Sequence, residues 1–447
     1  MTNYICMLTL IIGIVFSIFN IAQIVCAPLL WIHDVWGRKC GIIVGCVGVI
    51  VGAIVTATTK SLSVFIGGRF MLSFFATLSI TAAPLYVVEM SPPHMRGTVA
   101  GLYNTLFYLG SIMATFAIYG TELHYKDNPL SWKIPLWLQI VCPGIVICGA
   151  LFIPESPRYL VATDRYEKAR KVIVDFHANG DENHPLVELE MAEMVESFRD
   201  VGLTNWKTVL DFRSLVATRA TRYRTLLVIL MAWFAQFSGN AVASYYLPTM
   251  LKEVGVTSVN VQLLLNAIYA ITGWAAAISG ARCHDIFGRR KMLLSTTLAM
   301  AVCLAVVAAT TSTYIKTGSK AASDATILFI YVFGATYAFG FTAMTPIYPS
   351  EVLSNDLRAK GFCVYKIASG ASAFINAFVA PIAMNNIKYW FYVFFVFWDL
   401  IEFACIYFLF VETKGRTLEE LEEIFEAPNP VKASVQVKSS MPAVEYD

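Results

Sequence analysis

Asp285-Ile286-Phe287-Gly288-Arg289-Arg290-Lys291 is a charged loop set between two long apolar stretches, and Asp34-Val35-Trp36-Gly37-Arg38-Lys39 repeats it near the start of the chain. Glycine suits the reverse turn such a loop needs, and the cations suit water and anionic headgroups. Two further charged patterns recur in the same order. Glu89 precedes Arg96 by the same spacing that separates Glu351 from Arg358, and Pro154-Glu155-Ser156-Pro157-Arg158 is matched by Val411-Glu412-Thr413-Lys414-Gly415-Arg416. One such motif would carry little weight. Three in the same order, twice, describe a duplicated chain. The chemistry on offer is ion pairing. Asp34, Arg38, Glu89, Arg96, Glu155 and Arg158, with Asp285, Arg289, Glu351, Arg358, Glu412 and Arg416, are expected to form a clasp at one end of the molecule. It would pair across the two halves when that end is shut and part when it opens. Each exposed pair contributes only about 0–1 kcal/mol, but a network can bias a two-state equilibrium.

The elements that position these groups are membrane helices. With 57% hydrophobic residues, 14% charged residues and a mean hydropathy of +0.62, the chain is too apolar for a soluble fold. Apolar runs of spanning length fall at about 8–33, 40–59, 65–88, 98–120, 134–153, 225–250, 261–283, 292–313, 325–349, 361–384 and 388–411. Each is read as a helix, because lipid satisfies no open backbone group. Gly45, Gly48 and Gly52 fit close helix approach. Alternate loops hold nearly all the arginines, which places them and the C-terminus in the cytoplasm.

The chain divides into a first membrane bundle at 1–154, a connector at 155–222, a second six-helix bundle at 223–411 and a tail at 412–447. Short surface helices are expected at Asp164–Asp175 and Glu188–Arg199, and an amphipathic one at Arg416–Glu426. The pattern is lost after Pro428. The cysteines, mostly inside apolar runs, read as free thiols. No nucleotide loop, metal cluster, nucleophile motif or nucleic-acid patch is seen, so neither an enzyme nor a cofactor is expected. Arg69, Asp399 and Glu402 are charges inside apolar runs, and a structural role is expected for the last two.

These motifs resemble the sugar porters of the major facilitator superfamily, most nearly the fungal hexose and disaccharide transporters of lactose-permease type. The resemblance is carried by Gly68-Arg69-Phe70, Pro84 through Gly97, Pro154 through Arg158, Gln236-Phe237-Ser238-Gly239-Asn240, Asp285 through Lys291, Glu351 through Gly361 and Glu412 through Arg416. It implies an all-α major facilitator fold, two bundles related by a pseudo-twofold, working by alternating access. It implies a sugar partner held by amides, which donate and accept without the desolvation cost of a charge. The positions that match are Asn104, Gln236, Asn240 and Asn266, with Tyr245 and Tyr246 as the outer gate. Gln236 and Asn240, four apart, are expected on one helix face. Asn376, outside the matched set, is equally consistent with a helix–helix bond. Proton symport at the plasma membrane by a monomer is the family arrangement.

Several positions depart from the family pattern. Ala235, Pro346 and Ser369 stand where members carry Gln, Trp and Asn. Leu30 stands four residues before Asp34 in place of glycine, and Val35 replaces a basic residue, which predicts a weaker clasp in the first half. Asp285 has two spans before it in its half and Asp34 has one. The repeat therefore predicts a first half short of the family's first helix. A sugar sensor or an inactive truncated carrier are the alternatives.

Overall fold

The computed structural model describes residues 2–92, 96–178, 180–199, 211–354, 357–416 and 418–435. Those residues are almost entirely helical. The first half contains α1 (Thr2–Cys26), α2 (Ile32–Trp36), α3 (Arg38–Thr58), α4 (Leu62–Glu89), α5 (Arg96–His124), α6 (Leu130–Leu138) and α7 (Val141–Phe152). The connector contains α8 (Pro157–Ala162), α9 (Tyr166–His177) and α10 (Pro185–Arg199). The second half contains α11 (Arg219–Phe237), α12 (Asn240–Tyr245), α13 (Leu247–Glu253), α14 (Val259–Phe287), α15 (Arg289–Thr317), α16 (Lys320–Val352), α17 (Arg358–Ile387) and α18 (Trp390–Leu409). Two short helices follow, α19 (Leu418–Glu426) and α20 (Pro430–Val435). Ten segments are long and apolar enough to cross a membrane, and Gly13–Leu29 adds a shorter one. The chain is a multi-pass membrane protein.

The halves meet along two seams, α1 against α17 and α5 against α14. Outside the seams, α3 packs on α4, and α15 packs on α16 and α18. The α3–α4 contact is set by glycine. A Cβ on Gly45 would lie 2.7 Å from the Ser79 backbone, and one on Gly48 would lie 2.0 Å from the Phe75 ring. Dispersion between closely packed backbones replaces the hydrophobic drive that lipid removes. The second half has the larger core, with Leu227, Met231, Phe333, Phe341, Phe395 and Phe410 interlocked between α11, α16 and α18.

The run at 225–250 is not one helix. It breaks after Phe237, and Gly239 takes φ +86 to start α12. The run at 134–153 likewise divides between α6 and α7. Beyond Pro428, where the sequence shows no pattern, α20 forms. Asn429 starts it by accepting Lys432 N at 3.1 Å, and Ser434 Oγ accepts from Glu412 N at 3.1 Å.

In the second half α11 packs on α16 and α17, sealing Ser372, Asn376 and Ala380 on α17. The equivalent residues of α5, Gly110, Ala114 and Ile118, are exposed. This matches five crossing elements before the connector and six after it among the described residues.

The connector helices pack on one another through Leu160, Ile173, Val187 and Met194. His177 fastens them to the end of α4. Its Nδ1 lies 2.8 Å from Glu190 Oε2 and its Nε2 lies 3.3 Å from the Met90 carbonyl, with both side chains buried.

Candidate functional site

Each half builds the same charged end. In the second half Arg289 lies 2.9 Å from Asp285 and 2.8 Å from Glu351. Glu412 accepts from the backbone N–H of Arg289 at 2.8 Å and of Arg290 at 3.1 Å, so this carboxylate caps the start of α15. In the first half Arg38 lies 3.1 Å from both Asp34 and Glu89, and Glu155 accepts from Lys39 N at 3.1 Å. The two glycines match as well, with φ +95 and ψ 157 at Gly37 and φ +95 and ψ 158 at Gly288. Only glycine adopts that region readily.

Two expectations change. The pairs at Arg38 and Arg289 close within their own halves rather than across them. Each arginine staples the start of one helix to the ends of its neighbours. Across the halves, Arg158 and Arg358 act on one another as like charges. Burial and then Arg158 press against the Arg358 guanidinium, which donates to the Ser350 carbonyl at 3.2 Å. Second, the ion pairs at Arg38 form despite Leu30 and Val35, although Glu155 accepts from one N–H group at the helix start where Glu412 accepts from two. The helix before it differs at a neighbouring position. Gly280 lets α14 run against the Phe339 carbonyl, only 2.1 Å from where a Cβ would sit. Its counterpart in the repeat is Leu29, which follows Pro28. There the chain turns through a 3-10 segment, Ala27–Leu29, and restarts as α2, delivering Asp34 to Arg38 by another route.

Three residues in each end were missed from the sequence. Tyr86 donates to the Pro154 carbonyl at 2.8 Å and Tyr348 to the Val411 carbonyl at 3.2 Å. Ser156 Oγ donates to Glu89, and Thr413 Oγ1 donates to Glu351 at 2.6 Å. The carbonyls of His33 and His284 accept from Arg38 at 3.2 Å and Arg289 at 3.3 Å. The signal was there. Extending the repeat gives H-D-x-x-G-R, Y-x-x-E-x6-R and E-[ST] in both copies.

His33 is 1% exposed, and burial, then Arg38, lower it from 6.5 to about 4. Its folded value lies below its unfolded one, so its contribution is full above about pH 6.5 and is lost as pH falls toward 4. The shift is worth about 3 kcal/mol. The detergent-solubilised protein is expected to melt at progressively lower temperature through that window, and His33→Asn to lessen the dependence. An unaltered profile in the variant would exclude His33 as its source.

One amide bridges the halves. Asn104 donates Nδ2 across the interface to the Thr342 carbonyl and, at 3.4 Å, to Thr345 Oγ1. Tyr108, one turn on, lies 3.4 Å from Thr342 Oγ1. Gln236, Asn240 and Asn266 are half-buried. Gln236 and Asn240 do not share a helix face, because the break at Gly239 separates them. Asn240 Oδ1 accepts from Ser244 at 3.4 Å. Tyr246 is buried and donates to the Ala377 carbonyl at 3.0 Å, with its ring edge-on to Phe16 of α1 at 5.7 Å. Asn376 donates to the Gln236 carbonyl at 2.9 Å, which is a helix–helix bond. The side chains of Arg96 and Tyr245 lie outside the described residues. Arg416 donates to the Ser434 carbonyl at 3.4 Å. Asp399 and Glu402 are fully buried on α18, with Trp398 Nε1 donating to Glu402 at 2.6 Å.

The family model for "Sugar (and other) transporter" matches residues 2–425. The chain belongs to this sugar transporter family. It is 29% identical over 434 residues to a high-affinity glucose transporter of Kluyveromyces lactis, covering 92% of this chain and 77% of that one. It is 26% identical to a probable quinate permease of Aspergillus flavus, covering 88% of this chain and 74% of that one. Among solved structures it resembles the major facilitator proton:xylose symporter XylE bound to 6-bromo-6-deoxy-D-glucose. The TM-score is 0.77 at 18% identity, with 93% and 90% of the two chains covered. The fold is that of the major facilitator superfamily.

Proposed function

We propose that this sugar transporter carries a hexose or disaccharide across the plasma membrane by alternating access, as a monomer. The two halves rock about the α1–α17 and α5–α14 seams. The observation that carries the reading is Asn104, an amide on a seam helix of one half reaching the wall of the other. An amide there can trade its protein partner for a hydroxyl without exposing a charge to lipid. Gln236, Asn240 and Asn266 are the other sugar contacts, and Tyr245 with Tyr246 closes the outer mouth. The charged ends face the cytoplasm together with the C-terminus, as arginine-rich loops do.

The charged residues that pair or cap within the halves, Asp34, Arg38, Glu89 and Glu155 with Asp285, Arg289, Glu351 and Glu412, work as braces. They keep each half rigid while it rotates, and the Arg158–Arg358 repulsion favours separation at that end. Proton coupling is the property named for the xylose symporter, and the same coupling is proposed here. The named relatives span a neutral hexose and quinate, so the common denominator is a compact ring bearing several hydroxyls.

Labelled glucose uptake in a host lacking hexose carriers tests the reading. Uptake should saturate, and Gln236→Ala should weaken apparent affinity by about tenfold or more, as loss of buried hydrogen bonds does. An unchanged affinity would remove Gln236 from the site.

A further inference from the structure

Lys366 lies inside a membrane-spanning segment, and no carboxylate of its own helix or of its seam partner is there to neutralise it. It stands eight residues after Arg358 in α17, as Asn104 stands eight residues after Arg96 in α5. The two side chains therefore hold equivalent places in the two halves, one an amide and the other an ammonium. Their surroundings differ. Asn104 reaches α16, whereas Lys366 borders α1. One turn before it, Cys363 Sγ donates to the Ala27 carbonyl at 3.5 Å. One turn after it, Gly370 packs against Ile24 and Asn20. The titratable group facing its ammonium is the Cys26 thiol.

Three of the helices that meet here carry no acid. α1, α11 and α17 contain neither Asp nor Glu. On α16, Glu351 is held by Arg289 and Thr413 and Asp324 lies at the opposite end of the helix. On α18, Glu402 is held by Trp398, and Asp399 is fully buried and is not among the groups that act on the Lys366 ammonium. Lys366 makes no hydrogen bond or ion pair among the described residues, and the residue is half-buried. Ser369, three residues on and also half-buried, shares its face. A cation in a membrane span that serves only packing would be expected to have a fixed counter-charge. One that meets its anion intermittently would look as Lys366 does.

We propose that Lys366 binds a carboxylate on the transported ring, so that the preferred substrate is a sugar acid or another polyhydroxy carboxylate. This rests on the transport reading above and narrows its substrate class. The ring hydroxyls fall to the amides. The carboxylate falls to an ammonium, a compact charge with three donors that tolerates several orientations.

D-glucose and D-glucuronate differ only at C6, hydroxymethyl against carboxylate, and so isolate the charge. The full chain, purified and reconstituted in liposomes, would be assayed by counterflow of labelled D-glucose with each compound as competitor at neutral pH. Glucuronate is expected to compete at a concentration about tenfold or more below that of glucose, the range of a charge-assisted hydrogen bond. Lys366→Gln should raise the glucuronate concentration needed by about the same factor and shift that of glucose by much less, while Lys366→Arg should keep the preference. Equal potency of the two sugars in the unaltered protein would overturn the proposal, whether or not the glutamine variant folds. So would a Lys366→Gln effect that is the same for both. Absence of counterflow for glucose and glucuronate alike would instead sink the transport reading, and this inference with it.

Discussion

Gly288→Ala is expected to abolish transport and to leave little folded protein. Two effects add at this residue. Its φ of +95 with ψ of 158 lies in a region that L-residues occupy at a cost of about 1–3 kcal/mol. A Cβ there would also stand 2.6 Å from Glu412 Oε2. Glu412 cannot retreat freely, because it accepts from the N–H groups of Arg289, Arg290 and Lys414. The total should exceed about 3 kcal/mol, a large share of the usual net stability. Gly37→Ala should behave alike, since its Cβ would lie 2.7 Å from Glu155 Oε2. Gly415 is the control. It has φ +63 and nothing within 4 Å, so Gly415→Asn should change stability by less than about 0.5 kcal/mol. Thermal unfolding of the three variants in detergent checks the set. An alanine at 288 as well tolerated as asparagine at 415 would show that the cap is dispensable.

Arg289→Ala is the second large effect, and its expected form follows from where the pairs close. The guanidinium joins Asp285 and Glu351 and donates to the His284 carbonyl, all in one half. Its loss leaves Glu351, which is a quarter exposed, with Thr413 as its described partner. Stranding a partly buried carboxylate in this way costs about 3 kcal/mol. A fall of several degrees in melting temperature should accompany weakened transport. Arg289→Lys should recover only part, because an ammonium cannot fork between two carboxylates. If the clasp bridged the halves instead, Arg289→Ala would open the charged end to thiol reagents without lowering the melting temperature. Measuring both quantities on one variant separates the two accounts.

Much of this architecture was legible because two physical signals are strong in such a chain. Lipid forces each apolar run to be a helix, and the run boundaries come from charge. The charged ends were legible because the repeat states them twice. What escaped was either locally ambiguous or hidden by symmetry not followed far enough. The break at Gly239 looked like loosening within a helix, since Ser238 and Gly239 are both tolerated in membrane helices. The expectation that Gln236 and Asn240 share a face failed for that reason. The direction of the clasp was undetermined, because opposite charges at helix ends pair equally well within or between halves. Distances decide that, and spacing does not. Tyr86 with Tyr348 and Ser156 with Thr413 were visible as matched positions, but a hydroxyl near a carboxylate carries no period or composition signal. Lys366 was overlooked because one lysine does not interrupt an apolar run. Its significance comes from the absence of acids on α1 and α17, which matters only once those helices are known to touch.

The most direct test of the central claim is counterflow by the purified chain in proteoliposomes preloaded with unlabelled sugar. A carrier working by alternating access exchanges internal sugar for external label, so label should accumulate transiently above its external concentration and then decay. D-glucose and D-glucuronate, each assayed as its own exchange pair, should both give this overshoot. Saturable binding of either sugar without any overshoot would contradict the account, leaving a sensor that binds sugar and does not carry it.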